Sequence, residues 1–381
     1  MNKALRSKIG EEGIRNRLFH AKILLFGEYS IIFDSMALSV PFSRFSARFE
    51  LPGINNTDDP EFASLSNALL KDYAAWLGGS ENGAMFKGLL DLDAFKSDIG
   101  RGLFFNSDIP QGWGLGSSGA LCAAVYDRYA LGGDPDAGHP VVDGPGTRQY
   151  DGDYPGTGHL NDAAHSPGYG HNAGDSAGNG PGSSHSGLFR LKRIFADMEK
   201  YFHGTSSGID PLNCYLDRPL LINPAEGISI VSSPVCSRDK GIAVFLIDTG
   251  LSRDTGPLVK LFIERSREQK FMELIVRIMM PAVDSSIRSL LSSRMDTFMN
   301  ELGKLSRFQL DNMGPMIPDR FKGLWGKGME SGDFYLKLCG SGGGGYLLGF
   351  TRDMEKTGRI MAGNELDTIP VCNYMIQKEA G

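Results

Sequence analysis

Pro110-Gln-Gly-Trp-Gly-Leu-Gly-Ser-Ser-Gly-Ala120 places glycines at 112, 114, 116 and 119 around two hydroxyls, Ser117 and Ser118. An amphipathic run follows at once: Ser118 to Leu131 reads as a helix with Leu121, Ala124 and Val125 on one face. Glycine lets a backbone come close to an anion, and a helix start offers unpaired N–H groups and a favourable dipole. A serine hydroxyl there can add a ligand to magnesium. The stretch is a phosphate cradle by physics, with Gly114, Leu115, Gly116, Ser117, Ser118 and Gly119 as its lining. It is not a Walker A loop, because no Lys follows the last glycine, and the spacing of a Rossmann fingerprint is displaced. Taken alone, it reads equally well as a glycine-rich turn with a serine N-cap.

Three further stretches share that ambiguity one at a time. Glu199-Lys-Tyr-Phe-His203-Gly-Thr-Ser-Ser-Gly-Ile-Asp210-Pro211 sets Glu199 and His203 one helical turn apart, on one face. Gly204 is a helix stop. Asp210 before Pro211 reads as an N-cap kept ionised by the dipole of the next helix. Such a carboxylate can accept a proton from an attacking hydroxyl, or it can be a plain cap. In Lys337-Leu-Cys-Gly-Ser-Gly-Gly-Gly-Gly-Tyr346, four consecutive glycines between apolar strands weaken folding unless a backbone must approach a ligand there. A flexible hairpin loop is the other reading. In His20-Ala-Lys22-Ile-Leu-Leu-Phe-Gly27-Glu28-Tyr29, a Lys sits inside an apolar strand, where it points to a partner or snorkels.

The remainder of the 381 residues bounds the problem. This length suggests two domains at about 150 residues each. Net charge is −6 with no sustained basic stripe, which argues against nucleic acid as a partner. No apolar run approaches the ~18 residues of a membrane span, and the first residues lack the apolar core of a signal peptide. Five scattered cysteines without a C-x-x-C fit reduced thiols in a cytoplasmic setting. Glycine, 50 residues, is in excess over the usual ~7%. The excess is local: residues 134–187 hold 13 Gly, seven Asp and five of the seven His, and carry the whole net charge. That segment reads as a loop or disordered insert, too poor in apolar side chains to offset its chain entropy. Its Asp151-Gly-Asp153 is a poor match to a calcium loop, which lacks here the closing bidentate Glu. Elsewhere 21–27, 241–247 and 346–350 read as strands. Leu191, Phe195, Met198 and Phe202 mark one helix. Phe271, Leu274, Ile275 and Ile278 mark another, stopped by Pro281. Strands and helices mix without strict βαβ alternation, which makes the class α+β.

Together the four motifs resemble those of the GHMP kinase superfamily, and within it most closely the mevalonate kinases. They lie in family order and span nearly the whole chain apart from the insert. P-x-x-x-G-L-G-S-S-x-A resembles the family phosphate loop, K-L-C-G-S-G-G-G-G its third glycine motif, and A-K-I-L-L-F-G-E its first motif. G-T-S-S-G-I-D-P resembles the stretch that carries the catalytic Asp. The resemblance implies two domains, a ribosomal-protein-S5-domain-2-like unit at 1–232 and a ferredoxin-like unit at 233–381, with ligands in the cleft between them. It implies Asp210 as general base and Lys22 as catalytic lysine. It gives Ser118 and Glu199 to Mg²⁺, and Gly342 and Gly343, with the phosphate loop, to ATP. Glu28, Arg253, Thr255 and His203 fall on the side of the acceptor. The implied reaction is transfer of the ATP γ-phosphoryl group to the C5 hydroxyl of mevalonate, with a homodimer as an allowed assembly. One departure is Tyr29, where the family often has His. Another acceptor for such a kinase (phosphomevalonate, homoserine or a sugar) keeps the same fold and metal logic. A decarboxylase of the same fold fits the first motif less well, and a nucleotide sensor leaves Lys22, Glu199 and Asp210 unexplained.

Overall fold

The computed structural model describes residues 17–52, 59–80, 82–131, 183–234, 241–252 and 255–371. The Gly/Asp/His-rich segment lies outside them, except for its last residues, 183–187, which are helical. The loop reading therefore runs too far there. Once an apolar face packs, a helix extends at little cost per residue.

Two antiparallel sheets carry the chain, which is the α+β class expected. The first is built from β1 (Phe19–Phe26) and the long β2 (Ala37–Glu50). Three helices follow: α1 (Pro60–Leu77), α2 (Gly83–Phe86) and α3 (Leu92–Gly100). Then come β3 (Phe104–Ser107), α4 (Ser117–Tyr129), α5 (Ser183–His203), α6 (Ile209–Leu216), β4 (Leu220–Asn223) and β5 (Gly227–Ile230). The strand order is β1-β2-β4-β5, with β3 beside the far half of β2. β1 is buried along nearly its whole length, with Ala21, Ile23, Leu25 and Phe26 fully covered.

The second sheet has the order β7-β8-β6-β9. Its strands are β6 (Ala243–Asp248), β7 (Phe334–Leu338), β8 (Tyr346–Thr351) and β9 (Thr368–Pro370). Between β6 and β7 run α7 (Thr255–Ser266), α8 (Gln269–Leu274), α9 (Met280–Leu291), α10 (Met295–Asn312) and α11 (Asp319–Ser331); α12 (Met354–Ala362) precedes β9. Phe298, Leu302 and Leu305 of α10 and Phe321 and Trp325 of α11 are buried in the core. The ring of Phe26, at the end of β1, meets Phe298 at 5.9 Å and Phe350 at 5.8 Å, so the two sheets share one core.

Pro281 does not stop its helix. Residues Ile275–Met279 form a π-turn in which the Met280 N–H reaches back to the Ile275 carbonyl, and Pro281 falls in the first turn of α9. The wider turn accommodates both the missing N–H and the ring. No helix among the described residues is long and apolar enough to cross a membrane.

Candidate active site

The helix starts near the phosphate loop differ from the side-chain-capped ones elsewhere in the fold. α1, α3 and α12 are capped by the side chains of Asp59, Asp91 and Asp353. α4 and α6 begin instead after left-handed glycines, Gly116 (φ 78°) and Gly208 (φ 72°), with no side-chain cap. The serine cap open to the sequence reading is therefore absent. The first N–H groups of α4 are left for an anion, and the hydroxyls of Ser117 and Ser118 for other tasks.

β1 brings Lys22 to this helix start. The Lys22 N–H donates to the Leu115 carbonyl at 3.0 Å, which seats the phosphate loop along the free edge of the strand. A Cβ on Gly116 would lie 2.9 Å from Cγ of Lys22, so glycine is required for the side chain to pass. Beyond it, the Lys22 ammonium lies 2.8 Å from Oδ2 of Asp210. Burial alone lowers the affinity of this amine for its proton. The Asp210 carboxylate outweighs it, and the pKa of Lys22 ends above its ordinary value. The Lys22 side chain is 6% exposed and that of Asp210 37%, so the carboxylate faces the solvent side of a buried charge. Asp210 is not an N-cap as expected. Gly208 holds that position and Asp210 stands in the first turn of α6, still at the positive end of the dipole. Gly119 lets α6 come this close: a Cβ there would lie 2.8 Å from the Pro211 nitrogen and 2.9 Å from the Asp210 carbonyl carbon.

The last turn of α5 supplies the second cluster, ended by Gly204 as expected. Glu199 and His203 do share a face, and Ser118 sits between them. Its hydroxyl donates to Oε1 of Glu199 at 2.9 Å and lies 3.0 Å from Nε2 of His203. Ser206 donates to the other Glu199 oxygen at 2.5 Å and accepts from the Gly208 N–H at 2.9 Å. The sequence reading passed over Ser206, although it stands inside the G-T-S-S-G motif. Burial and then the nearby Asp210 carboxylate push the Glu199 carboxyl up to about 7 against the pull of these hydroxyls. Its donor set is oxygen only, one carboxylate and one hydroxyl, and suits Mg²⁺ that keeps phosphate and water as its other ligands. Among the described residues no group of three or more His, Cys, Asp or Glu could hold a metal unaided.

The third glycine loop lies directly behind the first. A Cβ on Gly345 would lie 3.0 Å from the Trp113 carbonyl oxygen, and one on Gly114 would lie 3.6 Å from that of Cys339. The Trp113 ring packs on Tyr346, with centroids 5.2 Å apart. Gly342 backs onto Leu338 and Met316, and the Gly343 N–H donates to the Met316 carbonyl at 2.5 Å. These two glycines seat the loop. Glu28 is buried beside it, ion-paired with the wholly buried Lys337; its Oε1 also accepts from Gln309 at 3.2 Å, and Oε2 has no partner. Neither Lys337 nor Gln309 was singled out from sequence; nothing marks Gln309 on its amphipathic helix. Cys122, Cys214 and Cys339 are free and buried. Arg253 lies outside the described residues, as does the side chain of Thr255, the first residue of α7.

The fold is similar to that of the GHMP kinases. In sequence the chain is similar to the mevalonate kinase of Dictyostelium discoideum, 21% identical over 380 residues, covering 86% of this chain and 85% of that one. Among solved structures, Leishmania major mevalonate kinase in complex with R-mevalonate superposes with a TM-score of 0.56 at 12% identity, over 94% of this chain and 96% of that one. Streptococcus pneumoniae phosphomevalonate kinase, in complex with phosphomevalonate and AMPPNP, gives 0.54 at 14% identity, over 94% and 100%. Lactococcus lactis galactokinase complexed with galactose gives 0.51 at 11% identity, over 96% of both chains. No protein-family model matches the sequence.

Proposed function

We propose that this chain is an ATP-dependent kinase that phosphorylates the C5 hydroxyl of mevalonate. The observation that carries the reading is the Lys22–Asp210 pair at 2.8 Å, set against a helix start that no side chain caps. A carboxylate paired with a buried ammonium, next to an anion site, is what proton removal from an alcohol during phosphoryl transfer needs. The likeness to mevalonate kinases supports the choice of acceptor.

In this mechanism the N–H groups of 114–119 hold the β- and γ-phosphate oxygens. Gly342 and Gly343 seat the third loop on Met316, and Gly345 lets it lie against the first. Ser118 and Glu199 hold Mg²⁺, which when bound neutralises charge on the transferring phosphoryl group. Asp210 accepts the proton of the acceptor hydroxyl as the new O–P bond forms and the bond to the ADP oxygen breaks. Lys22 balances the charge of Asp210, 2.8 Å away, and stabilises the negative charge gathering on the acceptor oxygen. Ser206 and His203 orient Glu199 and Ser118; the assignment of His203, Glu28, Arg253 and Thr255 to the acceptor side rests on the likeness to mevalonate kinases alone. The reading keeps two domains, 1–232 and 233–381, and a cytoplasmic enzyme.

A coupled ADP-release assay tests it, with Mg·ATP against mevalonate, 5-phosphomevalonate, homoserine and galactose. Turnover on mevalonate is expected, falling about 10²–10⁴-fold in Asp210→Ala while ATP still binds. Turnover on homoserine or galactose alone keeps the site chemistry and changes the acceptor, whereas turnover on 5-phosphomevalonate alone moves the acceptor to a phosphate oxygen and removes the need for a base. Turnover in Asp210→Ala close to that of the wild type removes Asp210 as the base.

A further inference from the structure

The turn after β1 reaches across to the second sheet with two consecutive side chains. Glu28 is paired with Lys337, whose ammonium also donates to the Leu338 carbonyl at 2.6 Å. Gln309 closes this network, since its Oε1 accepts from the Leu338 N–H at 2.9 Å. Tyr29, the next residue, donates its hydroxyl to the Ser341 carbonyl at 2.6 Å. Its backbone is left-handed, φ 66°, a conformation unfavourable for an aromatic residue. Its ring stands against Phe262 with centroids 4.5 Å apart, and the residue is 5% exposed. The root of the third glycine loop is thus held by Glu28 through Lys337, and its crest by Tyr29.

That loop is also the back wall of the phosphate loop. Gly345 abuts Trp113 so closely that a Cβ would stand 3.0 Å from its carbonyl oxygen, and Gly114 lies beside the Cys339 carbonyl, 3.6 Å from where a Cβ would stand. A shift of the crest at Ser341 is therefore passed to residues 113–116, whose N–H groups the kinase reading assigns to the nucleotide. A γ-turn, closed by the Ser30 N–H on the Glu28 carbonyl at 2.8 Å, holds Tyr29 in this strained conformation. The side chain so presented reaches one particular carbonyl, that of Ser341.

We propose that Tyr29 is a positioning residue for nucleotide binding: through Ser341 it fixes the third glycine loop against the phosphate loop, and so ties nucleotide affinity to the turn that also carries Glu28. The proposal rests on the kinase reading. It places the determinant of ATP affinity in a residue that need not touch ATP.

The test is calorimetric binding of Mg·AMPPNP, without acceptor, to the full chain and to Tyr29→Phe, which keeps the ring against Phe262 and removes only the hydroxyl. The expected result is a Kd raised about threefold to tenfold, as loss of one hydrogen bond gives. The melting temperature without nucleotide is expected to fall by no more than the loss of one buried hydrogen bond gives, and the KM for the acceptor to stay put. Kd unchanged in Tyr29→Phe overturns the proposal. So does a loss shared equally between nucleotide Kd and acceptor KM, which marks a general loosening of the site. If the wild-type chain binds no nucleotide, the kinase reading fails first and the proposal falls with it. Lys337→Met combined with Glu28→Gln keeps the interior neutral and gives a second reading. It too is expected to weaken AMPPNP binding in a chain that remains folded by circular dichroism, and wild-type affinity in that double variant counts against the proposal.

Discussion

Lys22 and Asp210 meet at 2.8 Å from elements far apart in sequence, the middle of β1 and the first turn of α6. The asymmetry of the pair decides how each half responds to substitution. Asp210 is exposed enough to be solvated without its partner, whereas Lys22 is not. Lys22→Met is therefore expected to stay folded, with a stability change of about 1 kcal/mol or less. Its turnover should fall about 10²-fold or more, because a charge aimed at the developing oxyanion is gone. Steady-state kinetics beside a urea melt checks both. An unchanged kcat removes Lys22 from the chemistry.

Gly119 sets the distance between α4 and α6. In Gly119→Ala the new methyl would stand 2.8 Å from the Pro211 nitrogen and 3.2 Å from Cβ of Asp210, so α6 has to move. Displacement of a reacting group by about 1 Å costs about 10²-fold in rate. The expected outcome is a loss of kcat much larger than the change in nucleotide Kd. Equal kcat in Gly119→Ala and wild type would mean that the crossing of these helices tolerates more slack than the contacts allow.

Glu199 predicts a pH dependence. Its carboxyl, near 4.5 when unfolded, is held at about 7 in the folded chain. Between those values the native state binds a proton that the unfolded state does not, so stability falls as pH rises from about 4.5 to 7. The shift amounts to a few kcal/mol, roughly 3 at most. Glu199→Gln should flatten this slope in metal-free protein. Mg²⁺ added with nucleotide near pH 6.5 should release a proton in wild type and not in the variant, read by calorimetry in two buffers of different ionisation enthalpy. A slope unchanged by Glu199→Gln assigns the dependence elsewhere.

The stretches that meet around Lys22 were legible in sequence by local signals: glycine and proline punctuation at Gly114 to Gly119 before a helix and at Gly204 to Pro211 between two helices, and a charge inside an apolar strand at Lys22. The α+β class followed from strands without βαβ alternation. What escaped depended on partners distant in sequence. Asp210 looked like a cap because Pro211 follows it, yet Gly208 takes that place, since only glycine fits where a Cβ would lie 2.1 Å from the Lys192 carbonyl oxygen. Pro281 looked like a stop, and the π-turn before it absorbs the ring. Gln309 carries no local signal at all; its task appears only when α10 lies beside β7 and the end of β1.

Asp98 offers a test of the scaffold apart from the chemistry. It accepts from Arg101, from Arg128 at 2.7 and 3.1 Å and from the Tyr129 hydroxyl at 2.9 Å, which ties α3 to the end of α4 whose start carries the phosphate loop. Burial works against the charge, but these donors outweigh it and hold the carboxyl below its ordinary value. A depressed carboxyl contributes stability above its unfolded pKa, about 3.9, and loses it as pH falls through the folded one. Asp98→Asn is thus expected to cost about 2–3 kcal/mol at pH 7, the worth of hydrogen bonds to a charged group. The gap to wild type should shrink on acidification below pH 4, as read by urea melts at both pH values. Because Asp98 acts only through the helix it anchors, kcat per folded molecule should hold. A gap that stays constant with pH would show that packing around Asp98, and not its charge, carries the stability.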